Sequence, residues 1–189
     1  FNGNKENDLM KIGNTFTSST VYGGEGDDEI RVISGILNNS SIYGDKGNDT
    51  IHDNGVAVVL NLLGNSGIFG NDGTDNINFN STTTSITAQG GSGNDSITGG
   101  SAIDTLTGGA DDDEIDGNAG ADILKGSAGA DKFLYATSAE FIAVTNNADG
   151  VIDEVDGGTE IDTISIAGGA ISIGAAGSDT LARVTNTEK

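Results

Sequence analysis

Apolar residues occur singly along most of the chain, with polar neighbours on both sides. Between residues 90 and 134 one such position recurs every nine residues, at Ile97, Leu106, Ile115, Leu124 and Phe133. An apolar residue between two polar ones predicts a very short strand with one side chain pointing inward. The six residues before each triplet are rich in Gly, Asn and Asp, which predicts a tight turn. The pattern predicts alternating strands and turns, with no convincing amphipathic helix before Gly126.

The nine-residue period is also a sequence repeat. From Gly90 to Leu134 five units follow one another without a gap, and in each the first residue is Gly, the sixth is Asp and the eighth is apolar. The sixth positions are Asp95, Asp104, Asp113, Asp122 and Asp131.

Wider copies of the unit lie upstream. They start at Gly3, Gly23, Gly44 and Gly70, and their sixth positions are Asp8, Asp28, Asp49 and Asp75. The starts are 20, 21, 26 and 20 residues apart up to Gly90, close to the 18 residues of two units. Each interval therefore predicts one solenoid coil, in which the opposite turn is replaced by a Ser/Thr/Asn-rich stretch such as 34–41 or 80–85.

These repeats predict an all-β fold, a parallel β-roll (right-handed β solenoid) whose rungs stack about 4.8 Å apart around a narrow apolar core. We expect a β-roll with coils of about 20 residues over 1–89, a regular nonapeptide β-roll over 90–134, and a C-terminal β cap and tail over 135–189. Within the last region, 138–146 is compatible with a short helix. Residues 157–165 can be read as one more unit, with Asp162 sixth and Ile164 eighth.

The charge of the chain requires a neutralising partner. Eight Lys and Arg stand against 29 Asp and Glu, a net charge of −21, which excludes nucleic acid and anionic lipid as partners. Only 34% of the residues are hydrophobic, and low hydrophobicity with high charge is typical of disorder. No apolar run approaches the roughly 18 to 20 residues of a membrane span. Because residue 1 is Phe, we expect the chain to be part of a longer polypeptide.

Stacked turns would bring the sixth-position aspartates into columns, where like charges repel unless a cation lies between them. Calcium suits such a site because it takes six to eight oxygen ligands in irregular geometry, whereas magnesium requires strict octahedral geometry. Zinc is disfavoured by the absence of Cys and the single His. The predicted ligands are the nine sixth-position aspartates and carbonyl groups of the turns around Gly24, Gly26, Gly47, Gly73, Gly91, Gly93, Gly100, Gly109, Gly120 and Gly129.

The register also predicts where the ions lie. Alternate nonapeptides fall on opposite edges, so the turns starting at Gly99 and Gly117 share one edge and the other seven share the first. We expect about 5 to 9 calcium ions, mostly in one line. About seven ions would change the net charge from −21 to about −7, an ordinary value for a soluble domain.

The unit resembles the GGxGxDxUx nonapeptide of the RTX (repeat-in-toxin) family, where U is apolar. The match is close over Gly90–Leu134, and the wider copies extend it to most of 3–134. The resemblance implies a calcium-loaded β-roll in a secreted protein, a bacterial surface-layer or hemolysin-like exoprotein, exported by type I secretion. Departures are Ala102 and Asp111 at the fourth position, Asn118 and Ser127 at the second, and Glu6 in the first copy. We expect weaker or absent binding at that first copy.

The function predicted from the sequence is a calcium-binding structural module that folds outside the cell, surface-layer or adhesin-like, with calcium and copies of itself or other surface components as partners. The alternative is the non-catalytic module of a secreted enzyme (protease, lipase or polysaccharide epimerase) or of a toxin. We predict no enzyme activity, because His52 beside Asp53 lacks a second His or a nucleophile motif.

Tyr22, Tyr43 and Phe69 each precede a unit-start Gly and are predicted to stack on one outward face. Such a ladder could contact a glycan or a protein. We favour the simpler interpretation that the stacked rings stabilise the sheet.

Overall fold

The computed structural model of the protein describes residues 2–13, 15–33, 35–53, 55, 60–63, 66–136, 153–166, 169–173 and 180–181. All regular structure in these residues is β-strand, which confirms the predicted all-β class. The short helix expected at 138–146 lies outside the described residues. No helix long and apolar enough to cross a membrane occurs in the described part of the chain.

The described ranges contain twenty short strands. In order they are β1 Leu9–Ile12, β2 Phe16–Thr17, β3 Thr20–Glu25, β4 Glu29–Val32, β5 Gly35–Asn38, β6 Ser41–Lys46, β7 Thr50–His52, β8 Leu60–Leu63, β9 Gly67–Asp72, β10 Asn76–Asn78, β11 Thr87–Ser92, β12 Ser96–Thr98, β13 Thr105–Ala110, β14 Glu114–Asp116, β15 Ile123–Ala128, β16 Lys132–Tyr135, β17 Glu154–Thr159, β18 Asp162–Ile166, β19 Gly169–Ile173 and β20 Thr180–Leu181.

The strands form two long sheets that share every coil. One has eight strands in the order β20-β17-β15-β13-β11-β9-β6-β3, and the other has nine in the order β1-β4-β7-β10-β12-β14-β16-β18-β19. Strands of successive coils pair in parallel, as the nonapeptide register requires. Only the pairs β18–β19 and β17–β20 are antiparallel among the pairings described. The molecule is therefore a parallel β-roll, with a reversed strand against the last coil of each sheet.

The eight-stranded sheet extends further into the repeat than expected. Its strands other than β20 span six residues, because the first three positions of the unit continue the strand and pair with the neighbouring coils, as Gly91 does with Gly109. The units that start at Gly99 and Gly117, at the opposite turn, do not continue a strand in this way. Strands of the other sheet are only three to five residues long. Where the unit continues the strand, the sharp part of the turn is thus confined to positions four to six.

The core is two facing columns with one apolar side chain per coil. In the nine-stranded sheet the column is Met10, Ile30, Ile51, Ile77, Ile97, Ile115, Phe133 and Ile164. In the eight-stranded sheet it is Val21, Ile42, Ile68, Ala88, Leu106, Leu124 and Val155. All are buried. Each Ile or Leu supplies about 2 kcal/mol of burial free energy. The eighth-position residues of the repeat are all in these columns, as the hydrophobic pattern predicts.

The wide coils have a third sheet in place of the second acidic turn. Strands β2, β5 and β8 pair in parallel there, with Leu37 and Leu60 buried. Serines connect these coils: the backbone N–H of Ser19 donates to Oγ of Ser40 at 3.1 Å, and the N–H of Ser40 donates to Oγ of Ser66 at 3.0 Å. The Ser-rich stretches therefore replace a charged column with a neutral one.

Candidate metal centre

At one edge of the roll each coil passes from the eight-stranded to the nine-stranded sheet. This edge carries a continuous column of eight aspartates. The backbone N–H of each aspartate except the last donates to Oδ1 of the aspartate one coil later, at 2.7 to 2.9 Å. The column is Asp8, Asp28, Asp49, Asp75, Asp95, Asp113, Asp131 and Asp162. We call this the first edge. Asp162 closes it, so residues 157–165 form one more unit of the repeat.

The opposite edge has a shorter column built in the same way, which we call the second edge. The N–H of Ile86 donates to Oδ1 of Asp104, and the N–H of Asp104 donates to Oδ1 of Asp122, both at 2.8 Å. The N–H of Asp122 in turn donates to Oδ1 of Asp153 at 2.8 Å. The structure thus brings the nine predicted aspartates together on the two edges predicted for them, seven on the first edge and two on the second.

The second carboxylate oxygen of these aspartates, Oδ2, is the atom that indicates a metal site. Among the described residues seven aspartates have a buried Oδ2 with no hydrogen-bond partner, namely Asp28, Asp49, Asp75, Asp95, Asp113, Asp122 and Asp131. Each of these side chains is at most 3% exposed. A buried carboxylate oxygen without a donor is strongly unfavourable, since it has lost its water and gained nothing. A cation beside it would remove that penalty, so the donor set fits a hard ion.

Backbone carbonyls complete the cradle around these oxygens. A Cβ added at Gly70 would contact Oδ2 of Asp75 and would lie 2.6 Å from the carbonyl oxygen of Gly90. At Gly44 the corresponding carbonyl oxygen is that of Gly70, at 2.8 Å. The same two boundaries, the sixth-position carboxylate of the unit and a carbonyl of the next coil, enclose the space beside Gly23, Gly99 and Gly126. Any side chain there would fill that space.

The fourth position decides whether Oδ2 is left without a partner. Gly26, Gly47, Gly73, Gly93, Gly120 and Gly129 all have positive φ, and Asp111 keeps the same conformation at φ 75°. Ala102 and Glu6 do not adopt it. In those two units the second-position N–H reaches Oδ2 instead, from Gly100 to Asp104 at 2.7 Å and from Asn4 to Asp8 at 3.1 Å.

Second-position residues keep a common backbone despite sequence changes. Gly24, Gly91 and Gly109 have φ between 119° and 139°, and Ser127 and Asn118 retain positive φ at 95° and 61°. Gly100, by contrast, is outside the positive-φ set. The substitutions noted in the sequence therefore preserve the turn at Asn118, Ser127 and Asp111.

Burial perturbs the acidity of both edges. It raises the pKa of Asp49, Asp95, Asp122 and Asp131 to about 7, with a smaller upward contribution from neighbouring carboxylates. Asp75 and Asp113 are raised to a pKa of about 6 for the same first reason. Hydrogen bonds from the backbone oppose these shifts. Charged aspartates on the edges are thus costly to the metal-free fold.

The composition of the site narrows the choice of metal. Within the described ranges no three His, Cys, Asp or Glu side chains converge on one point. An ion would therefore be held by carboxylates of successive turns and by backbone carbonyls, all of them oxygen ligands. Calcium accepts such a set, whereas zinc prefers nitrogen and sulfur. The residues present fit calcium.

The sequence reasoning missed a second ladder outside the aspartate column. Oδ1 of Asn7 accepts from the N–H of Asp27 at 3.0 Å, and Oδ1 of Asp27 accepts from the N–H of Asn48 at 2.8 Å. The same bond recurs from Thr74 to Asn48 and from Ala130 to Asp112. These are fifth-position residues. The repeated Asn or Asp before the sixth-position Asp was the signal that could have identified them.

The two other features singled out in the sequence both make contacts between neighbouring coils. Tyr22 stacks on Tyr43 with ring centroids 5.2 Å apart, and Tyr43 stacks on Phe69 at 4.8 Å, which confirms the aromatic ladder. The rings lie face to face, so most ring faces are covered by each other. His52 contacts Oε1 of Glu29 at 3.1 Å, and the same oxygen accepts from Arg31 at 2.6 Å, which forms a charged cluster on the sheet surface.

Comparison with known proteins agrees with this geometry. The model of the RTX calcium-binding nonapeptide repeat matches four times, at residues 18–31, 35–55, 87–102 and 98–133. A search of curated proteins gives no significant match. A search of solved structures gives none either. RTX repeats imply calcium binding and are characteristic of secreted bacterial proteins. These four segments of the chain are therefore RTX calcium-binding nonapeptide repeats.

Proposed function

We propose that this chain is a calcium-dependent structural module that is disordered when metal-free and folds when it meets calcium outside the cell, as part of a surface-layer or adhesin-like assembly. The observation that carries the proposal is the set of seven buried, unpartnered Oδ2 atoms stacked along the two edges. Without a cation they oppose folding, and with one they hold successive coils together.

The physical coupling follows from the arrangement of ligands. Each aspartate holds the preceding coil through Oδ1 and presents Oδ2 to the cradle. Calcium supplies the positive charge that this cradle lacks. Since the cradle exists only when two coils are stacked, ion binding and folding share one free energy. The thin apolar columns add burial free energy, which alone would not offset the electrostatic repulsion of a net charge of −21.

The test of this coupling is a calcium titration followed by circular dichroism. We expect a coil-to-β transition that a chelator reverses and that magnesium does not reproduce. Because the seven Oδ2 atoms are distributed over six stacked coils, the transition should be steep. A β-sheet spectrum that persists in excess chelator would contradict the proposal.

The assembly role is supported by the wide coils. Their third sheet, with serines hydrogen-bonded from coil to coil beside it, is a feature that a minimal nonapeptide roll does not have. Analytical ultracentrifugation with and without calcium tests this role, because an assembly module should form oligomers only when loaded. A strictly monomeric loaded chain would favour the second candidate, the non-catalytic module of a secreted enzyme or toxin.

The enzyme-module candidate makes a distinct prediction. In that case the chain should stabilise a catalytic domain of the same polypeptide in a calcium-dependent way, without self-association. We propose that the chain itself carries no catalytic activity. We also propose about 5 to 9 bound ions, with the predicted aspartates as ligands.

A further inference from the structure

We propose that Asp122 and Asp153 form a calcium site at the C-terminal end of the second edge, with Tyr135 as its positioning residue. The proposal rests on the calcium-dependent folding proposed above and adds a ligand that lies outside the nonapeptide pattern. Five residues before Asp153 stands Ala148 and not Gly, so no repeat unit predicts a carboxylate there.

The first observation is that Asp153 occupies the next step of the ladder. The N–H of Asp122 donates to Oδ1 of Asp153 at 2.8 Å, and the N–H of Asp104 donates to Oδ1 of Asp122 at the same distance. The sequence separation is 31 residues in the first case and 18 in the second. Asp153 thus accepts, on the second edge, the same backbone hydrogen bond that a sixth-position aspartate accepts elsewhere.

The second observation concerns the oxygens left over. Oδ2 of Asp122 is buried without a partner, in a side chain that is 1% exposed. Oδ2 of Asp104, one coil earlier, is already satisfied by the N–H of Gly100. The unfilled ligand position on the second edge therefore belongs to Asp122. The described part of the coil stacked on its C-terminal side begins at Asp153.

The third observation is the phenol beside them. Tyr135, the last residue of β16, is 5% exposed, and its hydroxyl hydrogen-bonds the carboxylate of Asp153. A phenol hydroxyl is a donor that carries no charge at neutral pH. A donor fixed on one coil thereby orients the carboxylate of the next.

Together these groups make a hard, anionic site. Two carboxylates come from adjacent coils, and the charges of Asp104 and Asp116 add to the negative field at Asp122. Such oxygen ligands suit calcium. Because Asp153 directly precedes β17, an ion at this site would fasten the last coil, β17 and β18, onto the roll.

The experiment counts ions in the calcium-loaded chain by native mass spectrometry. We expect Asp153→Asn to bind one ion fewer than the wild type. The matched control is Asp156→Asn, which removes the same charge from β17 outside the turn and should leave the count unchanged. A wild type without calcium would overturn the proposed function itself. A loaded wild type with an unchanged count in Asp153→Asn would overturn only this site.

A spectroscopic readout locates the ion. Tyr135 is the sole tyrosine in the double variant Tyr22→Phe/Tyr43→Phe, because the chain has three Tyr and no Trp. Terbium bound at this site should be excited through Tyr135, and Asp153→Asn should lose most of that emission. Equal emission with and without the Asp153 carboxylate would contradict the site.

A third variant covers the case in which Asp153→Asn does not fold. Tyr135→Phe keeps both carboxylates and removes only the hydroxyl, so the ion count should be unchanged. We expect the affinity of one ion to fall by about tenfold, the lower end of the effect of losing an orienting hydrogen bond to a ligand. Unchanged affinity of every ion in Tyr135→Phe would overturn the positioning role.

Discussion

The backbone N–H of Asp28 donates to Oδ1 of Asp49 at 2.7 Å, so two residues 21 positions apart are joined across neighbouring coils. The same carboxylate keeps its second oxygen, Oδ2, buried and without a donor. One side chain therefore performs two tasks, holding the coil before it and presenting a ligand to the cradle. Loss of the charge at such a position should weaken both.

Asp95→Asn should weaken calcium binding at its own cradle by about tenfold or more, equivalent to at least about 1.4 kcal/mol, and so raise the calcium concentration at the folding midpoint. The reason is that Asp95 has an unpartnered Oδ2. Asp156→Asn is the matched control, since it removes the same charge from β17, outside the turn, and should have a much smaller effect. Circular dichroism during calcium titration measures both, and equal shifts would refute the distinction.

Acidification should affect the metal-free and loaded chains in opposite directions. Burial raises the pKa of Asp49, Asp95 and Asp131 from an ordinary 3.8 to about 7 in the fold. Between these values the folded state binds more protons than the unfolded state, so the metal-free roll loses stability as pH rises through this window. It should gain β-structure when pH falls from 8 to about 5.5.

In the loaded chain the same protons compete with calcium. The calcium concentration at the midpoint should therefore increase as pH falls below 7. Circular dichroism at matched ionic strength checks both directions, with chelator in one series and calcium in the other. A metal-free chain that gained structure on alkalinisation would show that these carboxylates do not control folding.

Gly70→Ala should destabilise the loaded fold by about 2 to 4 kcal/mol, because the new methyl group would occupy the cradle between Asp75 and the carbonyl of Gly90. Gly13→Ala is the control, since a Cβ at Gly13 meets nothing within 4 Å. Denaturant unfolding in saturating calcium gives the two values. Similar losses in both variants would mean that the cradle is not closely packed.

Tyr43→Ala should lower the free energy of unfolding by about 1 to 3 kcal/mol, because Tyr43 loses stacking on both Tyr22 and Phe69. Tyr22→Ala loses one contact and should cost less. This comparison separates the stabilising role of the ladder from a ligand-binding one. A stable Tyr43→Ala protein that had lost binding to a glycan array would favour the ligand.

The sequence was enough to predict the roll, its two edges and the eighth-position core, because a strict period fixes which residues stack. Confirmed examples are Ile97 over Ile115 in one sheet and Leu106 over Leu124 in the other. The division into regions at residues 89 and 134 stays a prediction.

Three features could not be predicted from the repeat. Asp153 enters the second edge from outside the period, so only the fold shows its place. Whether Oδ2 accepts a hydrogen bond depends on the φ angle at the fourth position of the unit, for example at Ala102 and Asp111. The residue type alone does not determine that angle. The third sheet arises from irregular stretches whose pairing has no fixed spacing.

The sixth-position ladder and the fifth-position ladder connect coils in opposite senses. In the sixth-position ladder the amide of the earlier coil donates, as from Asp28 to Asp49, and in the fifth-position ladder the amide of the later coil donates, as from Asn48 to Asp27. Tension along the long axis would therefore load both ladders at every junction simultaneously. Rupture of one junction frees a coil of 18 to 26 residues, roughly 60 to 90 Å of slack, while its neighbours remain closed. Such a roll would extend stepwise under load, and each step would limit the force transmitted along its long axis.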